Sequence, residues 1–286
     1  MGSVCVEIAV RDDPHLLETL ASLARQHRKP DRVLIAASTS SPAEFLRAAQ
    51  AAVPGLTVQV ARFPGGVVDA RAGAQLLIRE QVTAFLDSDE TAPPEWLERL
   101  VAPLEAGGID FTGGPTRPSR PPRASVERYM ELLERSIYED LVPSQVTYLP
   151  LQNTAWRTAP LTRLGFDPRI PFAEDHDVES RAVRAGLHGV FVPDAWVYHD
   201  PGGASGTIPW ARKRYRYLVA MAMSLLKNDE LGRRLGEKRR AVRHPLRYVE
   251  AAMKPIALVH ARLRWSRVKG ARFVVPSPEP EPVRAG

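Results

Sequence analysis

One cysteine, Cys5, in 286 residues excludes an intramolecular disulfide and a cysteine-only zinc site, and it fits a reducing compartment. No stretch approaches the roughly 18 consecutive apolar residues of a membrane span. The first residues reach Glu7 and Arg11 without the long apolar core of a secretory signal. A cytoplasmic location is therefore expected, extending at most to the cytoplasmic face of a membrane. Lysine is absent from residues 92–209. What is present is ordinary for a globular protein: 44% hydrophobic and 25% charged residues, in a chain long enough for one large α/β domain with an appendage, or for two small domains.

The net charge of +6 hides an asymmetry. Residues 210–286 hold 19 Lys and Arg against 6 Asp and Glu, so residues 1–209 are mildly acidic, with 20 against 27. An acidic body argues against nucleic-acid binding as its work, and the cationic segment stands apart from it.

The stretch Phe85-Leu86-Asp87-Ser88-Asp89-Glu90-Thr91 carries the first chemical signal. An apolar strand running into two carboxylates one residue apart is how a buried parallel strand ends at a site on its carboxyl edge. Oxygen ligands of this kind suit Mg2+ or Mn2+, with phosphate oxygens filling open positions. Two other readings stay open at this point. Acid-x-acid triplets also occur on solvated loops, and Asp-x-Asp-x-Thr after an apolar strand is how haloacid-dehalogenase-like phosphatases present a nucleophilic Asp.

Along the chain, strand and helix alternate. Val4–Val10 predicts a strand, followed by a turn at Arg11-Asp12-Asp13-Pro14 and a helix with Asp13 as N-cap and Pro14 at its first position. Residues 33–37 predict a second strand, 41–52 a helix and 56–61 a third strand. Residues 67–79 predict a helix entered through Pro64-Gly65-Gly66, and 82–86 the fourth strand. Units of this kind predict a mostly parallel sheet covered by helices on both faces, with ligands at the carboxyl ends of its strands. Asp12, Asp13, Asp87 and Asp89 then share that edge. Gly66 would let backbone approach a ligand closely, and Arg71 one turn later would face a diphosphate or the carboxylates. Further on, 93–106 predicts a helix, 109–112 a short strand, 113–122 a Pro-, Gly- and Arg-rich loop, and 125–138 an amphipathic helix.

The second half continues with Gln152-Asn153-Thr154-Ala155-Trp156-Arg157, then Leu164-Gly165-Phe166-Asp167, then Glu174-Asp175-His176-Asp177 with Arg181 six residues after Asp175, and finally Pro193-Asp194-Ala195 and His199. In this order and spacing, from the first strand to His199, the chain resembles the family 2 glycosyltransferases of the GT-A fold. The resemblance implies a GT-A domain over 1–209, with a nucleotide-sugar half to about 112 and an acceptor half from 113; charge and composition predict a basic helical extension over 210–275 and a Pro- and Glu-rich disordered tail over 276–286. The resemblance also implies inverting transfer of a sugar from a nucleoside-diphosphate sugar to a hydroxyl acceptor, such as a glycan or a lipid-linked molecule.

Carried over residue by residue, Asp87 and Asp89 would hold Mn2+ or Mg2+ on the donor diphosphate, and His199 would complete that metal site. Asp175 would be the general base, with Glu174 as its substitute. Arg71, Asp12, Asp13 and Gly66 would belong to the donor side. Asn153, Arg181, His176 and Arg214 would contact acceptor or phosphate, against the plainer reading of Arg181 and Asp177 as a helix-surface pair. Where relatives place an acidic residue to read a uracil base, this chain has Ala36-Ala37-Ser38-Thr39, which leaves the donor base open. A phosphatase would need a later lysine, and 92–209 supplies none. The other alternative is a non-catalytic membrane- or polyanion-binding protein on a transferase scaffold. In the cationic segment, 210–226 is expected to pack on the body and 233–272 to meet a membrane or a polyanion.

Overall fold

The computed structural model describes residues 2–139, 141, 146, 148–200, 206–231, 242–272 and 274–278. Its first half is a repeating strand-helix path: β1 (Val4–Val10), α1 (Leu16–Ala24), β2 (Arg32–Ser38), α2 (Ala43–Ala51), β3 (Val58–Phe63), α3 (Val67–Ala74) and β4 (Val82–Leu86). β1 pairs in parallel with β2 and with β4, and β2 with β3. The chain then passes through β5 (Glu90–Thr91), α4 (Trp96–Ala106), β6 (Phe111–Gly113), β7 (Thr116–Pro118) and α5 (Ser125–Glu139). It continues with β8 (Asn153–Arg157), α6 (Thr158–Leu164), α7 (Glu174–Arg184), β9 (Gly189–Phe191), β10 (Val197–His199), α8 (Thr207–Lys227) and α9 (Leu246–Val268).

The large sheet has the order β3-β2-β1-β4-β8-β6-β9, and β5-β10-β7 form a small second sheet. β8 alone runs antiparallel to its neighbours β4 and β6. Strand order reverses at β1, between β2 and β4, which opens a crevice at the carboxyl ends of β1 and β4. This is the α/β architecture that the alternating pattern predicts.

The core follows from side-chain alternation along the strands. Val4, Val6, Ile8 and Val10 of β1 face the layer of α1 and α4, with Leu20, Leu23, Trp96 and Leu100. Cys5 and Ala9 face the opposite layer, with Ala70 and Ala74 of α3. Glu7 lies between them on the α3 side, fully buried. Beyond β4, a separate apolar cluster joins Phe85, Trp156, Phe166 and Val178, and Phe111 stacks on Trp156 at 4.3 Å.

Two local expectations change. α1 begins at Leu16, because the Asp13 carboxylate accepts the His15 N–H and closes a turn around Pro14 before the helix starts. The segment 113–122 is not all loop: Thr116–Pro118 forms β7 against β10. Gly114 is required there, since a Cβ would lie 1.8 Å from the Ala195 carbonyl oxygen.

The cationic segment forms two long helices. α8 buries Trp210, Leu218, Val219 and Met223, and α9 lays Ala257 and Ala261 against it. The basic run 233–240, expected at a membrane or polyanion, and residues 279–286, expected to be disordered, lie outside the described residues.

Candidate active site

β4 delivers Asp87, Ser88 and Asp89 to the crevice, and the turn they form is fixed from both sides. Glu90 accepts the Asp87 N–H through Oε2 at 3.2 Å, Thr19 donates to the Ser88 carbonyl at 2.8 Å, and Ser88 Oγ donates to Asp13 Oδ2 at 3.1 Å. Asp13 is thus built into the turn. Asp12 pairs with Arg11 in solvent instead. Glu90 is fully buried, and burial, reinforced by the charges of Asp87 and Asp89, pushes its carboxyl well above the usual range.

The register of β5 on β10 sets His199 opposite Glu90. His199 Nε2 then meets Asp89 Oδ2 at 3.1 Å. Burial opposes charge on both groups, but their contact outweighs it: Asp89 lies below its ordinary value and His199 is pushed up to about 9. A cavity of about 130 Å³ opens beside them, lined in part by Thr91, Ser119, Tyr198 and Asp200.

Asp87 faces the other way. Its Oδ1 accepts from Arg71 Nη2 at 2.7 Å, and Arg71 Nε lies 3.7 Å from Glu174 Oε1. Arg71 comes from α3, entered through Gly65, whose φ of +93° suits glycine. The Gly66 N–H is taken by Asp69, closing the first turn of α3. Beneath Arg71 lies Glu7, with neither carboxylate oxygen hydrogen-bonded among the described residues. Burial, opposed by Arg71, pushes Glu7 up to about 8.

Glu174 and Asp175 open α7 at the same edge. Burial raises both carboxyls, and Glu174 reaches about 7 although Arg71 opposes the rise. Asp175 is held by its neighbours: Oδ1 accepts the His176 N–H at 2.7 Å and Oδ2 the Tyr148 hydroxyl at 2.7 Å. The Tyr148 ring stacks on His176 at 3.9 Å, and His176 Nε2 meets the Tyr217 hydroxyl of α8 at 3.1 Å. Phe172, just before α7, is 56% exposed and adopts φ 69°, a strained backbone for an aromatic residue.

The structure therefore gathers Asp13, Arg71, Asp87, Asp89, Glu174, Asp175, His176 and His199 along one edge. Three other residues singled out from sequence are engaged elsewhere. Asn153 accepts from Trp96 Nε1 and donates to the carbonyls of Pro115 and Ala195. Arg214 forms a two-pronged pair with Glu250 of α9. Arg181 binds Asp177 and the carbonyls of Leu164 and Gly165. The Asp177 pair is no surface contact, because Asp177 is fully buried and also binds Lys227 and Asn228. Among the described residues, no three His, Cys, Asp or Glu side chains stand together as a ready metal cluster.

The family model for glycosyltransferase-like family 2 matches residues 4–216. The chain belongs to that family. The glycosyltransferase also resembles solved structures. One is the mannosyltransferase PcManGT from Pyrobaculum calidifontis, solved in complex with GDP-Man and Mn2+, at 17% identity and a TM-score of 0.62, over 96% of this chain and 76% of that one. Another is S. aureus TarS 1–349, at 17% identity and a TM-score of 0.56, over 94% and 74%. The same protein in complex with UDP-GlcNAc gives 18% identity and a TM-score of 0.53, over 93% and 73%. At these identities the likeness is one of GT-A fold. No curated protein sequence matches the chain. Family membership sets aside the phosphatase reading of Asp87 and Asp89.

Sequence reasoning on the glycosyltransferase passed over Glu7, Glu90, Tyr148 and Tyr217. Glu7 had a signal, an acid inside the otherwise apolar strand VCVEIAV. Tyr148 had none, since it stands in an aperiodic segment and reaches Asp175 only through the fold.

Proposed function

We propose that this enzyme transfers a sugar from a nucleoside-diphosphate sugar to an acceptor hydroxyl with inversion, using Asp175 as general base. The observation that carries the reading is the chain of contacts Asp89–His199, Asp87–Arg71 and Arg71–Glu174 beside Asp175, which joins a phosphate-and-metal end to a proton-accepting end on one sheet edge.

A carboxylate raised by burial is a better base for a hydroxyl than an exposed one. Asp175 takes the acceptor proton as the oxygen bonds to the anomeric carbon and the bond to the diphosphate oxygen breaks. One displacement of this kind inverts the anomeric configuration. Tyr148 and the His176 N–H hold the Asp175 carboxylate in place, and Glu174 is the second carboxylate within reach. Asp89 and His199 offer an oxygen and an imidazole nitrogen, a donor set that suits Mn2+ better than Mg2+, which the carboxylates alone would hold, and Asp87 keeps 37% of its side chain open to join them. A bound divalent cation would neutralise the departing diphosphate. PcManGT was solved with GDP-Man and Mn2+, and TarS with UDP-GlcNAc. These are the donor classes to try first. The stretch where relatives often carry a base-reading acid reads Ala36-Ala37-Ser38-Thr39 here, and the Ser38 hydroxyl donates to the Gly65 carbonyl at 3.0 Å.

The test is release of nucleoside diphosphate from a panel of nucleotide sugars, with Mn2+ and with chelator. Asp175→Asn is expected to keep donor-induced thermal stabilisation and to lose about 10²- to 10⁴-fold in turnover. Near-normal turnover in that variant removes Asp175 as base, and full activity in chelator removes the metal.

A further inference from the structure

α9 is apolar on two opposite sides. One side, with Met253, Ala257, Ala261 and Trp265, packs into the cluster it shares with α8. The other side is open. Val249, Ile256 and Leu263 recur every seven residues with Val259 between them, which places them on one stripe of the helix. Their exposures are 42%, 63%, 56% and 58%, and Tyr248 at the start of the stripe reaches 69%. From Val249 to Leu263 the stripe runs about 21 Å.

The charge around this stripe has one sign. Arg262, Arg264, Arg267 and Lys269 are exposed and make no ion pair among the described residues. The only acid of α9, Glu250, is buried under Arg214, Tyr129 and Lys254. No described helix is long and apolar enough to cross a membrane. A helix with an exposed apolar face and cationic flanks suits the plane of a lipid interface, apolar side chains among the acyl chains and cations at the headgroups. A second copy of the same face would bring like charges together, whereas an anionic bilayer complements them.

We propose that the outer face of α9 docks the protein on anionic lipid bilayers, with Ile256, Val259 and Leu263 inserted and Arg262 and Arg264 at the headgroups. The docking helix is coupled to the cleft through α8, since Arg214 of α8 binds Glu250 and Tyr217 of α8 meets His176 beside Asp175. Lipid binding needs no donor and no turnover, so it stands or falls apart from the glycosyl-transfer reading.

The experiment is co-sedimentation of the full chain with phosphatidylcholine vesicles, with and without about 30% phosphatidylglycerol, at low and high salt. Binding to the anionic vesicles alone, weakened by salt, is expected. Ile256→Glu with Leu263→Glu should weaken it by about a hundredfold, and Arg262→Gln or Arg264→Gln by about fivefold each. Sedimentation velocity and thermal midpoints of the same variants serve as controls. Failure to bind anionic vesicles overturns the proposal, as does equal binding by the double variant. So does a dimer that the double variant dissolves, which would assign the face to a second copy.

Discussion

Glu7→Gln should make the protein more stable, and increasingly so as pH rises. Glu7 is fully buried in β1, neither carboxylate oxygen has a hydrogen-bond partner among the described residues, and the carboxyl rises from 4.5 to about 8. Its folded value lies above its unfolded one, so between these values the native chain holds a proton that the unfolded chain has lost. Stability contributed at this site is complete below about pH 4.5 and falls as pH rises toward 8, at about 1.4 kcal/mol per pH unit. Integrated from about pH 5 to about pH 7.5, this amounts to about 3 kcal/mol. Glutamine keeps the shape and cannot ionise, so that loss disappears. Urea unfolding of both proteins at the two pH values measures the difference, because Glu90, whose raised carboxyl acts in the same direction, contributes to both and cancels, whereas Glu174, whose charge helps to raise Glu7, shifts with it. A wild-type-to-variant difference that does not change with pH would refute the reasoning, since it would mean that Glu7 folds with the charge it carries unfolded.

Tyr148→Phe removes the hydrogen bond that lowers the Asp175 carboxyl against burial; the acid limb of kcat/KM should move to higher pH and kcat should fall, as a pH-rate profile would show. His199→Ala should weaken Mn2+ affinity by at least about tenfold in calorimetry, and a metal titration in the wild type should release a proton from His199 near neutral pH, because that imidazole is pushed up to about 9. Asp177→Ala leaves Lys227 and Arg181 short of a buried partner and should cost about 3–5 kcal/mol in urea unfolding. Trp156→Ala, which empties the stack on Phe111, should cost about 3–5 kcal/mol by the same measurement.

Most of the parallel half was legible because β1, β2 and β4 are buried on both faces and read as largely apolar runs. Residues 33–37 and 82–86 fall inside β2 and β4. The motif order also placed Asp87, Asp89, Glu174, Asp175 and His199 on one edge. What escaped sequence reasoning depended on partners distant in sequence. β7 holds three residues and exists only because β10 pairs with it, so local composition gave loop. Arg214 looked available to phosphate, but its partner Glu250 lies 36 residues away on another helix. Glu7 stood out as an acid in an apolar strand, but hydrophobic patterning has no way to show that α3 lays an arginine nearby. Tyr148 belongs to no periodic element, and only the packing of its ring on His176 aims its hydroxyl at Asp175.

Within the large sheet β8 opposes both of its neighbours, and it arrives at the carboxyl edge of β1 and β4 instead of departing from it. Leu86 at the end of β4 sits level with Asn153 at the beginning of β8, so residues 148–152, Tyr148 included, reach the rim from upstream. A parallel strand can offer the rim only its own downstream residues. Residues 148–152 are anchored at their β8 end by the Asn153 carbonyl and amide contacts to Gly114, Pro115 and Ala195. Exchanging residues 148–152 would then change the side of the cleft that holds Tyr148 against Asp175 while the opposite side, built from β1 to β4, stays as it was.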